Sequence, residues 1–157
     1  MKPLLVGEAN PYQSDRDSAM RYALHSDPPH ASGGRLCFFV MGLDERTYLR
    51  SFDRIDLCYP KWSIREARVH AAQLIAERGI DDVIVLCGSK VSAAFGVPYE
   101  PFRIEWTPGR TLSGPRLVIL PHPSGLNRAW HQPNARTRAR DVLREAGVLA
   151  AEVTNAE

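Results

Sequence analysis

Two polar segments, each stiffened by Gly and Pro and each lying directly behind an apolar run, hold most of the side chains able to do chemistry. GEANPYQSD (Gly7 to Asp15) carries a carboxylate, an amide and a phenol. HPSGLNRAW (His122 to Trp130) carries an imidazole, a hydroxyl, an amide, a guanidinium and an indole. A carboxylate can orient a water and accept its proton, whereas an amide can only orient it. A fixed imidazole N–H can stabilise negative charge as it develops. Taken singly, each segment reads as an ordinary turn, because Gly, Pro, Asn and Ser are the turn formers. Their chemistry depends on a fold that brings them together.

The elements around them supply such a fold. Pro3 to Gly7, Asp82 to Gly88 (DVIVLCG) and Leu117 to Pro121 (LVILP) are continuous apolar runs, with a weaker one at Arg54 to Cys58 (RIDLC). Unbroken rather than alternating apolar runs suit parallel strands buried on both faces. Ser63 to Arg78 predicts a helix: Ser63 with Glu66 forms a capping box, and Gly79 stops it. Asn134 to Ala146 is Arg-rich and amphipathic. Shorter helices are expected over Ser14 to Leu24, Gly34 to Met41 and Ser89 to Phe95. Strands alternating with helices predict an α/β fold, a three-layer α/β/α sandwich around a parallel sheet. In such sheets ligands gather outside the carboxyl ends of the strands. That edge collects Glu8, Asn10, Tyr12, His122, Ser124, Asn127 and Arg128.

Composition narrows the class. With 157 residues, 44% apolar and 24% charged, the sequence reads as one globular domain spanning residues 1–157. No run approaches the roughly 18 apolar residues of a membrane span. Pro3 to Gly7 is too short for a signal-peptide core. Cys37, Cys58 and Cys87 are scattered without a CxxC pair, which points to a reduced, cytoplasmic setting and to small core residues. Lysine stands at positions 2, 61 and 90 alone, so 17 of the 20 cations are Arg. Arg is suited to phosphate, although a high-GC genome, which encodes Arg cheaply, would leave the same mark.

GEANP and HPSGLNR together resemble two motifs of the uracil-DNA glycosylase superfamily, whose first motif begins GEAPG, GINPG or GQDPY in different branches. GGRLC (Gly33 to Cys37) is similar to its Gly-rich loop, and FDRIDLCYP (Phe52 to Pro60) to the strand ending in its base-recognising residue. The four stretches fall in the family's order and cover both ends of the chain. The resemblance implies a central four-stranded parallel sheet and removal of uracil or a modified pyrimidine from DNA by hydrolysis. The enzyme would be a monomer with DNA as its partner. The base must be flipped out of the helix to be reached.

Residue by residue, the resemblance gives His122 the role of donor to the base carbonyl beside the glycosidic nitrogen. Asn10 or Glu8 handles the water, depending on whether the alignment is anchored on the Pro or on the GEA. Leu126 resembles the wedge that fills the space of the flipped base, and Ser124, Gly125, Asn127 and Arg128 would contact DNA around it. The ring stacked on the base is Phe38 or His30, by two different alignments. Tyr12 would screen out 5-substituted bases.

Two departures stand out. Asp56 replaces the family's Asn reader, and an ionised Asp only accepts hydrogen bonds. It would therefore favour an exocyclic amino group, as on a modified cytosine, over the uracil O4. The four cysteines of the iron–sulfur members are missing, so neither a metal nor a cofactor is expected. Two further readings belong to other classes: a non-catalytic DNA or nucleotide binder, and an enzyme of free nucleosides. With water as nucleophile, base release is expected to survive dialysis against a strong chelator. Loss of release restored by added metal would contradict this.

Overall fold

The computed structural model describes residues 1–10, 15–108 and 113–151. A five-stranded sheet has the order β2-β1-β3-β5-β4. Strands β1 (Leu4–Ala9), β2 (Asp53–Cys58), β3 (Val83–Cys87) and β5 (Arg116–Leu120) are parallel, and β4 (Arg103–Trp106) runs antiparallel to β5. The α/β class is as expected, but the sheet has five strands and not four. The extra strand was hidden because RIEW is four residues long and lies on an exposed edge. There it needs no continuous apolar run. It is tied in by Phe102 N donating to Ile119 O at 2.7 Å.

Alternate residues of the buried strands serve two separate cores. Leu5, Val83, Val85, Cys87, Val118 and Leu120 face a π-helix, Arg35–Met41, together with α6 (Ala135–Glu145) and Tyr48 and Phe52. Leu4, Val6, Ile84, Leu86, Leu117 and Ile119 face α4 (Ile64–Ala76) and α5 (Ser89–Ala94). Burial on both faces is what removes polar alternation from these strands. All three cysteines are buried and free. Among the described residues no helix is long and apolar enough to cross a membrane.

Caps set several helix starts. Ser63 Oγ accepts from Glu66 N, Asp15 accepts from Ser18 N before α1 (Arg16–Arg21), and Asp44 accepts from Thr47 N before α3 (Glu45–Ser51). Each satisfies an N–H the helix cannot. The helix expected over Gly34 to Met41 is instead one α turn, α2 (Ser32–Gly34), leading into the π-helix. At its C-terminal end Arg140 Nε donates to Val40 O at 2.8 Å. Part of the Arg-rich face of α6 therefore braces a neighbouring helix rather than facing water.

The connection ahead of α2 packs on glycine. A Cβ at Gly33 would stand 2.2 Å from Leu24 and His25 backbone atoms, and one at Gly34 2.5 Å from Pro28 and Pro29 backbone. Neither contact can be relieved by rotating a side chain. Gly33→Ala should lower the melting temperature by roughly 10 °C, the equivalent of about 3 kcal/mol of overpacking. A calorimetric scan beside wild type measures it.

Candidate active site

Strand β1 runs two residues past Gly7, so Glu8 and Ala9 belong to the strand and not to the following loop, with Ala9 paired to Cys58. The chain passes from β1 outward to β2 and then returns to β3 on the other side of β1. That reversal leaves a crevice beyond the carboxyl ends of the strands. A cavity of about 590 Å³ occupies it. Its wall includes Gly7, Glu8 and Asn10 of the β1 end, Asp56 of β2, and His122 and Ser124 after β5. The segment from Leu24 to Gly33 closes the remaining side.

His122 is held at three points. Its carbonyl accepts from Trp130 Nε1 at 2.8 Å and from Asn127 Nδ2 at 3.1 Å. Its ring Nδ1 accepts from Ser124 N at 3.2 Å. A backbone N–H can only donate, so Nδ1 carries the lone pair and the neutral ring keeps its proton on Nε2. Burial pushes the imidazole below its usual 6.5; nearby Glu8 opposes this and Lys90 reinforces it. The result is a neutral N–H donor of fixed tautomer. The loop carrying it is pinned by Arg35, whose Nε donates to Pro123 O at 2.8 Å. Glu8 lies close by: a Cβ at Gly88 would be 3.1 Å from His122 Cβ and 3.6 Å from Glu8 Oε1.

Asp56 faces Gly7 across the β1–β2 register. A Cβ on Gly7 would stand 2.3 Å from Asp56 Oδ1, so the carboxyl occupies space that any other residue would fill. It is only 5% exposed. Arg54, two residues earlier, donates to Ala23 O, and the Tyr48 hydroxyl donates to Leu24 O. Neither serves Asp56. Desolvation, reinforced by the negative charge of Glu8, raises the Asp56 carboxyl from 3.8 to about 7.

The other expected residues divide clearly. Asn10 and His30 line the cavity with Glu8, Asp56, His122 and Ser124. Tyr12 lies outside the described residues. Phe38 does not line the cavity: the π-helix turns Leu36, Cys37, Val40 and Met41 inward and leaves Phe38 40% exposed. Leu126 stands 92% exposed at the tip of its loop, where its N–H donates to Ser124 Oγ. Gly125 packs toward the Arg35 side chain, and Arg128 is exposed. Asn127 is committed within the loop, holding His122 O on one side and accepting from Ala129 N on the other. Trp130 is buried and structural, edge-on to Phe39 and Phe102.

Several lining residues went unrecognised in the sequence, among them Tyr22, Asp27 and His25. His25 Nδ1 accepts from Asp27 N at 3.1 Å, as His122 Nδ1 does from the residue two places on. It too lines the cavity. The signal was a His ahead of a Pro-Pro turn in HSDPPH, which no motif singled out.

No protein-family model, no curated protein and no solved structure matches this chain.

Because the folded Asp56 binds its proton more tightly than the unfolded one, the stability linked to it is lost as pH rises from about 4 to about 7. Asp56→Asn lacks this titration. Its stability advantage over wild type should therefore grow across that window and level off above it, reaching the order of a few kcal/mol. Denaturant melts of both proteins at pH 5 and pH 8 measure it.

Proposed function

We propose that the protein is a monofunctional DNA glycosylase, a divergent relative of the uracil-DNA glycosylase superfamily, that flips out and hydrolyses off uracil or a modified pyrimidine. The observation that carries this reading is His122. Its tautomer is fixed by Ser124 N, its backbone is locked by Trp130 and Asn127, and it borders the cavity that also holds Glu8 and Asp56. The helices on both faces of the sheet agree with the three-layer arrangement of that superfamily.

Cleaving an N-glycosidic bond places positive charge on the sugar and negative charge on the departing base. A neutral Nε2–H at His122 suits the base carbonyl beside the glycosidic nitrogen, because the hydrogen bond strengthens as the base becomes anionic. The Glu8 carboxylate suits the positive sugar and the incoming water, with the Asn10 amide orienting that water. The water oxygen bonds to C1′ as the C1′–N bond breaks. Its proton passes to Glu8, and the base anion is protonated from solvent. Asp56, buried against Gly7, addresses the far edge of the base.

Two features favour DNA over a free nucleotide. Among the described residues the cavity wall contains neither Arg nor Lys, which argues against a site built to hold a mononucleotide's phosphates. Leu126 is an exposed apolar tip, which a wedge between base steps requires and a small-molecule enzyme does not.

His122→Ala should slow single-turnover base release by about 10²-fold or more while DNA affinity persists. Leu126→Ala should weaken release from duplex more than from single-stranded DNA. Alkali cleavage of end-labelled oligonucleotides carrying U, hydroxymethylated C, hypoxanthine or xanthine reads both. Full activity in His122→Ala would remove the mechanism. Release from free deoxynucleosides untouched by Leu126→Ala would point to a nucleoside enzyme instead.

A further inference from the structure

Asp56 brings to the cavity a carboxyl that no described residue meets with a hydrogen bond or a cation. The groups around it come from every neighbouring element. Glu8 on β1 is negative. Cys87 on β3 is a thiol pushed up to about 12 by burial, Asp56 and Glu8. Tyr48 on α3 spends its hydroxyl on Leu24 O, and Arg54 on the same strand donates to Ala23 O. His25, Asp27 and His122 border the same cavity from the loops. A carboxylate here would face Glu8 at 5% exposure with no counter-charge from a described residue, and such a group is costly. A neutral carboxylic acid fits, because its C=O accepts and its O–H donates in one plane, the same pair an amide presents.

That pair matches a pyrimidine edge. Against uracil, the C=O accepts from N3–H and the O–H donates to O4. Against cytosine, the O–H donates to N3 and the C=O accepts from the N4 amino group. An ionised carboxylate would face a lone pair in either case. We infer that Asp56 reads the base as a neutral carboxylic acid, so that a pyrimidine edge is accepted with one proton held at this carboxyl and rejected once the carboxyl ionises. The identity of the ligand as a flipped base rests on the glycosylase reading; the proton requirement rests on the pocket. The amino-edge preference expected of an ionised Asp56 then gives way to a shared requirement for a side-by-side donor and acceptor. Burial places the titration near 7, where solution pH can operate it.

The test measures affinity for single-stranded oligonucleotides bearing one 2′-fluoro-2′-deoxyuridine, relative to the same strand with a tetrahydrofuran abasic analogue, from pH 6.5 to 8.5. A parallel arm carries the 2′-fluoro nucleoside of 5-hydroxymethylcytosine. For wild type, the base-dependent affinity should fall about tenfold per pH unit above 7 on whichever arm the pocket accepts. Asp56→Asn should hold its affinity within about threefold throughout, and Asp56→Ala should show little base-dependent affinity at any pH. A flat wild-type profile, the same decline in Asp56→Asn, or no base-dependent affinity on either arm would overturn the inference. The wild-type profile alone decides if the variants fail to fold. Base release is assayed separately. PH-dependent binding without release on any strand would sink the glycosylase reading and leave the inference standing. Release with pH-independent binding would do the reverse.

Discussion

Gly7 lies opposite Asp56 in the first strand pair, and the missing Cβ there is the space into which the carboxyl folds. Any side chain at position 7 would meet the carboxyl oxygen or Leu24. It would drive Asp56 out of the floor or lift the segment beginning at Leu24 off the sheet. That segment is itself set down on Gly33 and Gly34, and the Tyr48 hydroxyl ties its first residue to α3. The cavity thus exists because glycine stands at the points where backbone or carboxyl must come closest. Its depth follows from sterics before any polar group is considered.

On that frame the polar groups are oriented mainly by backbone. Two imidazoles, His25 and His122, have Nδ1 filled by an N–H two residues on, which fixes the tautomer without spending a carboxylate. The usual orienting partner of a working histidine is an acid on the other ring nitrogen, which raises basicity. Here the partner is a neutral amide and the His122 ring is half-buried, so that imidazole is directed toward donation rather than proton abstraction. Arg35, Asn127 and Trp130 reinforce the same loop from three directions. The loop can then present an exposed Leu126 without losing the position of His122, four residues earlier.

The sequence made the buried strands legible because two separate cores demand apolar residues on both faces of β1, β3 and β5. Strand β4 was not legible: four residues on an edge carry too little pattern. Helix α3 also passed unnoticed, although Asp44 and Thr47 form its cap. At the site, Glu8, Asn10, Asp56, His30 and His122 were readable from motif order, since each follows or ends a strand or borders the Gly-Gly turn. Phe38 was not, because a π-helix shifts the inward face away from α spacing. The Arg residues of α6 read as a solvated stripe, yet Arg136 lies against Phe39, Arg138 against Phe102, and Arg140 caps carbonyls of the π-helix. Such uses depend on what packs alongside, and no local pattern announces them.

Most of this chain agrees with itself across levels: caps sit where helices start, glycines where backbones touch, apolar residues where two faces are covered. Arg54 Nε and Arg78 Nε are buried without a hydrogen-bond partner, and at Asp56 the agreement breaks further. An acid is buried beside another acid, and no described residue supplies it with a cation. Replacing it with an amide or an apolar residue would satisfy local physics better. Places where a sequence violates its own rules without local compensation are where function is to be sought. The cavity compounds the point, since no described residue bordering it, His122 included, gives Asp56 a hydrogen bond or a countercharge. On the reading of Asp56 as a neutral acid, a ligand that brings both a donor and an acceptor to that floor supplies the partners that no described residue gives it.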